Sequence, residues 1–135
     1  MRPKYLTAIL LLIITDCKKE ATSLSLQLQG TWELAATDGG FSGHHEEYAP
    51  GNGNTYSFSG TTYARQIKTA DTTYEYSGTF EIYEGKPCYF ATKQTLIKFD
   101  HGIIANSFAL LDGTLSIGST ECVLDGSSDT YRKIH

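Results

Sequence analysis

The 135-residue chain is poor in several things at once: one tryptophan, one methionine, three prolines and three cysteines. Basic residues are outnumbered, with 11 Lys and Arg against 15 Asp and Glu, giving a formal charge of -4. Neutralising phosphates takes clustered Lys and Arg, so this balance argues against a nucleic-acid partner. The longest apolar stretch, Leu6 to Ile14, interrupted only by Thr7, is far shorter than the about 20 residues a helix needs to cross a bilayer. No GxSxG elbow, HExxH pair or Gly-rich phosphate loop ahead of a helix occurs, so no catalytic frame is offered and the chain reads as a non-enzyme without a cofactor. What it does have is aromatics (nine Tyr, six Phe and the Trp) and 13 Gly. That excludes a disordered chain and suits many short elements joined by tight turns. The length allows one domain.

Arg2 and Lys4 precede the apolar run, which is the order of a secretory signal. Ile14-Thr15-Asp16-Cys17 then resembles the lipobox of bacterial lipoproteins, departing from it at Ile14 and Asp16. The resemblance implies that residues 1–16 are removed, that Cys17 is lipidated, and that the body is anchored to a bacterial membrane in the cell envelope, the outer membrane being the expected one. Residues 17–29 read as the lipidated cysteine and a tether. The alternation of Leu24, Leu26 and Leu28 fits either a short extended piece or a brief helix over one end of the body.

From residue 30 to 135 the pattern is alternation, not helical periodicity. Trp32, Leu34 and Ala36 share a parity, as do Tyr56 with Phe58, and Tyr63 with Arg65 and Ile67. Tyr74, Tyr76, Phe80 and Ile82 alternate with Glu75, Ser77, Thr79 and Glu81. A one-residue slip there would bury two glutamates, so the register is firmly set. Further strands are expected at 88–92, 96–99, 104–111, 114–117 and 130–134. Gly-rich or Asp-Gly turns separate them, with Asp112-Gly113 the strongest hairpin signal. Eight strands of about 13 residues each, turns included, can close into an all-β antiparallel up-and-down barrel and so remove sticky edges. A two-sheet sandwich is the competing architecture.

Leu28-Gln29-Gly30-Thr31-Trp32-Glu33-Leu34 resembles the opening of bacterial lipocalin-like (calycin) proteins, where Gly-x-Trp starts the first strand. The similarity runs on through Tyr56-Ser57-Phe58, Gly78-Thr79-Phe80, Asp112-Gly113-Thr114-Leu115 and a terminal Asp129-Thr130-Tyr131-Arg132-Lys133. It implies an eight-stranded barrel over 30–135, closed at one end by Trp32 with a basic residue of the last strand packed over it. Arg132 is the expected partner, because a planar guanidinium stacks better than an ammonium. The resemblance also implies binding of a small hydrophobic or amphipathic molecule, with Tyr56, Phe58, Tyr74, Tyr76 and Phe80 as candidate lining residues. The alternative function is a protein-interaction module, an inhibitor or accessory subunit gripping another envelope protein.

Two features remain. Cys88 and Cys122 are left once Cys17 is lipidated, and in an exported protein two thiols read either as a disulfide or as buried free thiols. His44-His45-Glu46-Glu47 is the densest group of metal-ligand types. Adjacent residues on extended chain point opposite ways, so at most His44 with Glu46, or His45 with Glu47, converge. The expectation is a solvated tip of a 38–54 loop and no metal.

Overall fold

The structure is a computed structural model describing residues 23–135; the expected signal sequence and lipidated Cys17 lie outside the described residues. Nine antiparallel strands follow a short helical stretch at 23–28: β1 (Gly30–Gly39), β2 (His44–Glu47), β3 (Thr55–Ser59), β4 (Thr62–Lys68), β5 (Thr73–Gly85), β6 (Gln94–Phe99), β7 (Asn106–Leu111), β8 (Thr114–Gly118) and β9 (Ser127–Ile134). β1 pairs with β3, from β3 onward neighbours in space follow chain order, and β1 pairs with β9, so eight strands close a barrel. The competing sandwich is thereby excluded.

β1 is long enough to serve two partners on one edge. Its first half, Gly30 to Glu33, pairs with β3, and its second half, Ala36 to Gly39, pairs with β2. The expected 38–54 loop therefore contains a strand, and β2 lengthens the wall above β3. The other edge of β1 follows β9 from Thr31 to Gly39, with a shift between Leu34 and Ala36. This extra residue is a bulge, which reverses the inside–outside parity beyond it. Ala36 consequently stands opposite Thr130 on the outside, and Thr37 opposite Asp129 on the inside, not the single Trp32–Leu34–Ala36 face that alternation suggests.

The interior is filled mainly by rings. Tyr56 stacks on Phe58 and on Phe99 with centroids 5.5 Å away in each case, Tyr63 meets Phe99 edge-on at 4.6 Å, and Phe58 meets Phe80 at 5.1 Å. Offset and edge-on pairs of this kind add to the stabilisation from buried area. Leu28, Ile97, Phe108, Leu115, Ile117 and Tyr131 complete the cluster. Asp112 and Gly113 both have left-handed φ, 49° and 74°, which is the two-residue turn their sequence demands.

One expected strand does not form. Residues 88–92 lie in the β5–β6 connection as turns, because Cys88 is bonded there to Cys122 in the β8–β9 connection. The same two connections share a hydrogen bond from the Thr92 amide to Glu121 (2.8 Å). Leu96 points away from the ring cluster and is nonetheless fully buried, as are Ala91 and Thr120 in the linked connections.

Candidate functional site

The two ends of the barrel differ, and the register explains both. At the base, Trp32 is 1% exposed and its Nε1 donates to the Leu28 carbonyl at 2.7 Å. The helical stretch at 23–28 lies across this end, with Leu24 and Leu28 packed on the core; of the two readings of the tether, the helix is the one realised. Gln29 fastens it by hydrogen bonds with both backbone groups of Gly60.

The basic partner of Trp32 is Lys133, not Arg132. Residues opposite one another on paired strands share a face. Trp32 is opposite Lys133, and Glu33 is opposite Arg132. The Lys133 Nζ lies 5.1 Å from the indole centroid and donates to the Gln27 carbonyl. Arg132 instead faces outward, where its Nε donates to Glu33 at 3.3 Å and its Nη2 to the carbonyls of Leu34 and Tyr48. Glu33 is 4% exposed and also accepts from the amides of Gly51 and Gly53. Both glycines have left-handed φ, 83° and 79°, which turns their N–H groups onto the carboxylate. Burial pushes the Glu33 carboxyl upward, but the Gly51 and Gly53 amides and the Arg132 guanidinium together hold it below the ordinary glutamate range. This cluster ties the first strand, the last strand and the 48–54 segment into one joint.

The opposite end is open. β4 and β5 continue past the rim as a hairpin: β3 reaches only Gln66 of β4, and β6 pairs with β5 only from Phe80 onward. Tyr76 stands opposite Arg65, and Arg65 opposite Tyr56, so all three face the interior. Tyr74, opposite Ile67, does the same one step higher. Yet Tyr74 and Tyr76 are 49% and 51% exposed. Inward-facing rings reached by solvent define a mouth. Its floor is the packed layer of Tyr56, Tyr63, Phe99 and Tyr131.

The walls carry charge. The Arg65 guanidinium sits 4.9 Å over the Tyr56 ring. Across from it, Asp129 accepts from Thr37 Oγ1 at 2.8 Å and from the Tyr131 hydroxyl at 3.3 Å. Burial, partly opposed by Arg65, raises the Tyr56 phenol to about 12, and burial beside Asp129 raises that of Tyr131 further. Both therefore stay protonated as hydrogen-bonding groups through the physiological range.

The five aromatic lining candidates thus divide. Tyr74 and Tyr76 stand half-exposed at the mouth, and Tyr56, Phe58 and Phe80 are all buried, Phe58 and Phe80 meeting edge to face. Arg65, Asp129 and Thr37 belong to the mouth and were not singled out as site residues. Arg65 shares its parity with Tyr63 and Ile67, so its sequence signal existed; Thr37 is turned inward only by the bulge.

In β2, His44 approaches Glu46 at 3.7 Å on one side and His45 contacts Asp38 and Glu47 on the other, all solvent-exposed. Donation to the carboxylates of Asp38 and Glu47 raises the His45 imidazole above its usual range. Among the described residues no group of three or more His, Cys, Asp or Glu is placed to hold a metal ion. Elsewhere the surface shows an open groove of about 460 Å³ between the β1–β2 turn and the β8–β9 connection, lined in part by Gly40, His44, Thr120, Val123 and Leu124. A second of the same volume crosses β3–β5, with Ala64, Gln66 and Glu75 of the outer face in its lining and Arg65 and Tyr76 there as well. No protein-family model matches the chain, and neither a curated protein nor a solved structure does.

Proposed function

We propose that this is a lipid-anchored, lipocalin-like protein of the bacterial cell envelope that binds a small, partly apolar molecule at the open end of its barrel without transforming it. The observation that carries the reading is the pair of half-exposed, inward-facing rings, Tyr74 and Tyr76, above a close-packed aromatic floor. Leaving apolar rings wet is unfavourable, and a ligand that covers them recovers that area. Small-molecule sites combine such apolar walls with a few placed polar groups, here Arg65 and Asp129. Support for the calycin relation comes from the eight-stranded closed barrel together with Trp32 at its base under a basic residue of the last strand. The anchor rests on Cys17 and the signal that precedes it. Native mass spectrometry of protein purified gently from its host tests the whole reading. A co-purifying small mass that is lost in Tyr76→Ala supports it, and a ligand-free spectrum at saturating expression of the native protein counts against it. Cys17→Ser is expected to move the protein from the membrane to the soluble fraction.

A second reading, an interaction module, has its own observation. Tyr89 and Phe90 follow Cys88, Val123 and Leu124 follow Cys122, and Tyr89 and Leu124 are essentially fully exposed. Apolar residues held out by cross-linked connections suit a protein partner. A co-purifying polypeptide in the same spectrum decides for this reading.

A further inference from the structure

We infer that the mouth selects an anionic amphipathic molecule, a carboxylate or sulfonate head on a flat apolar body, and that Arg65 is its head-group receptor. The inference rests on the ligand-binding reading and adds the ligand's charge and the residue that reads it.

The argument starts from an inequality between two cations. Along the strands, the register turns Arg65 and Lys133 toward the interior, at opposite ends. Lys133 is engaged, with an indole beneath it and a carbonyl accepting its proton. Arg65 is partly buried, yet among the described residues it has no ion pair and no hydrogen-bond acceptor. A guanidinium carries five N–H donors, and drawing it out of water without acceptors is costly. Its one contact of note is with the face of Tyr56. No N–H group of Arg65 has an acceptor among the described residues, and a guanidinium fork can grip an oxyanion with two parallel hydrogen bonds.

Asp129, the only carboxylate facing the same space from β9, does not fill this role. Its oxygens accept from Thr37 Oγ1 and from the Tyr131 hydroxyl, and neither lies within ion-pair distance of Arg65. Because Arg65 has no acceptor among the described residues, the group that complements it is a negative one. The body of the molecule then meets Tyr76, directly opposite Arg65, and Tyr74 and Ile67 one step above, which gives a flat apolar wall. A free inorganic anion would leave those rings wet, and a neutral lipid would leave the guanidinium unpaired.

A matched pair of probes tests this on the full folded protein: anilinonaphthalene sulfonate, and phenylnaphthylamine, which has the same rings without the charge. Fluorescence titration of the wild-type protein is expected to give at least about tenfold tighter binding for the sulfonate, the scale of a charge-assisted hydrogen-bond pair. Arg65→Gln is expected to erase that preference while leaving the neutral probe unchanged, and Arg65→Lys to retain part of it. The Arg65 Nε resonance should shift on saturation with the sulfonate. Equal affinities in the wild type, or an undiminished preference in folded Arg65→Gln, overturn the inference while leaving ligand binding intact. Absence of saturable binding by either probe removes both. Should Arg65→Gln not fold, an Arg65 Nε resonance unmoved by saturating sulfonate in the wild type overturns it alone.

Discussion

At the base of the barrel the indole of Trp32 is sealed beneath the helical stretch and Lys133, whereas at the mouth Tyr74 and Tyr76, equally inward by register, are half in water. The same alternation places all of these rings, so pattern alone does not distinguish plug from site. What differs is how far the neighbouring strands run. At the base, β1 and β3 end level with one another and a helix closes the gap. At the mouth, β4 and β5 outrun β3 and β6, and nothing among the described residues covers the surplus. Close packing is concentrated where strands end together, and exposed aromatic surface where they do not.

Substitutions should therefore separate the two ends. The largest effect is expected from Trp32→Ala, at about 3–5 kcal/mol for a buried aromatic, seen as a fall in Tm of more than about 10 °C by calorimetry. A small loss would mean that the helical stretch, not the indole, seals the base. Next, reducing the bond between Cys88 and Cys122, which lie 34 positions apart, should cost about 3–4 kcal/mol by the chain-entropy argument, read by denaturant titration with and without reductant. Glu33→Ala follows, at about 2–3 kcal/mol, because it leaves Arg132 and two glycine amides without their shared acceptor.

This joint also sets an acid dependence. The folded-state pKa of Glu33 lies below its unfolded value, so its contribution is present above the ordinary glutamate range near 4.5 and is lost as pH falls through the folded value. Thermal melts of Glu33→Gln should accordingly lose less stability on acidification than the wild type. The smallest stability effect is expected at the mouth, where Tyr76→Ala should cost under about 1 kcal/mol, in keeping with its exposure, while weakening sulfonate-probe binding severalfold. A Tm loss at Tyr76 as large as that at Trp32 would erase the distinction between the ends.

Much of the barrel was legible from alternation, most plainly in β5, where two-sided patterning leaves one register. The turn at Asp112-Gly113 was legible because few residues tolerate its backbone. The bulge in β1 was not, since one inserted residue leaves no local mark where two alanines, Ala35 and Ala36, stand in succession. Choosing Arg132 over Lys133 followed from side-chain chemistry, but the choice belonged to strand register, which is a relation between distant segments. The 88–92 stretch has strand-like residues that a covalent bond to the β8–β9 connection overrides. Arg65 was legible as inward but not as unpaired, because only closure of the sheet reveals which acceptors come near.

The seam between β1 and β9 carries a kinetic consequence. Thr31 must find Ile134, and Glu33 must find Arg132, across 99 positions. Joining ends so far apart in the chain is slow, and it is possible only after the last strand has been delivered. Until then the earliest strand of the barrel has one bare edge and an uncompensated glutamate. An emerging chain is thus kept from finishing prematurely, and its first strand is locked in place by its last.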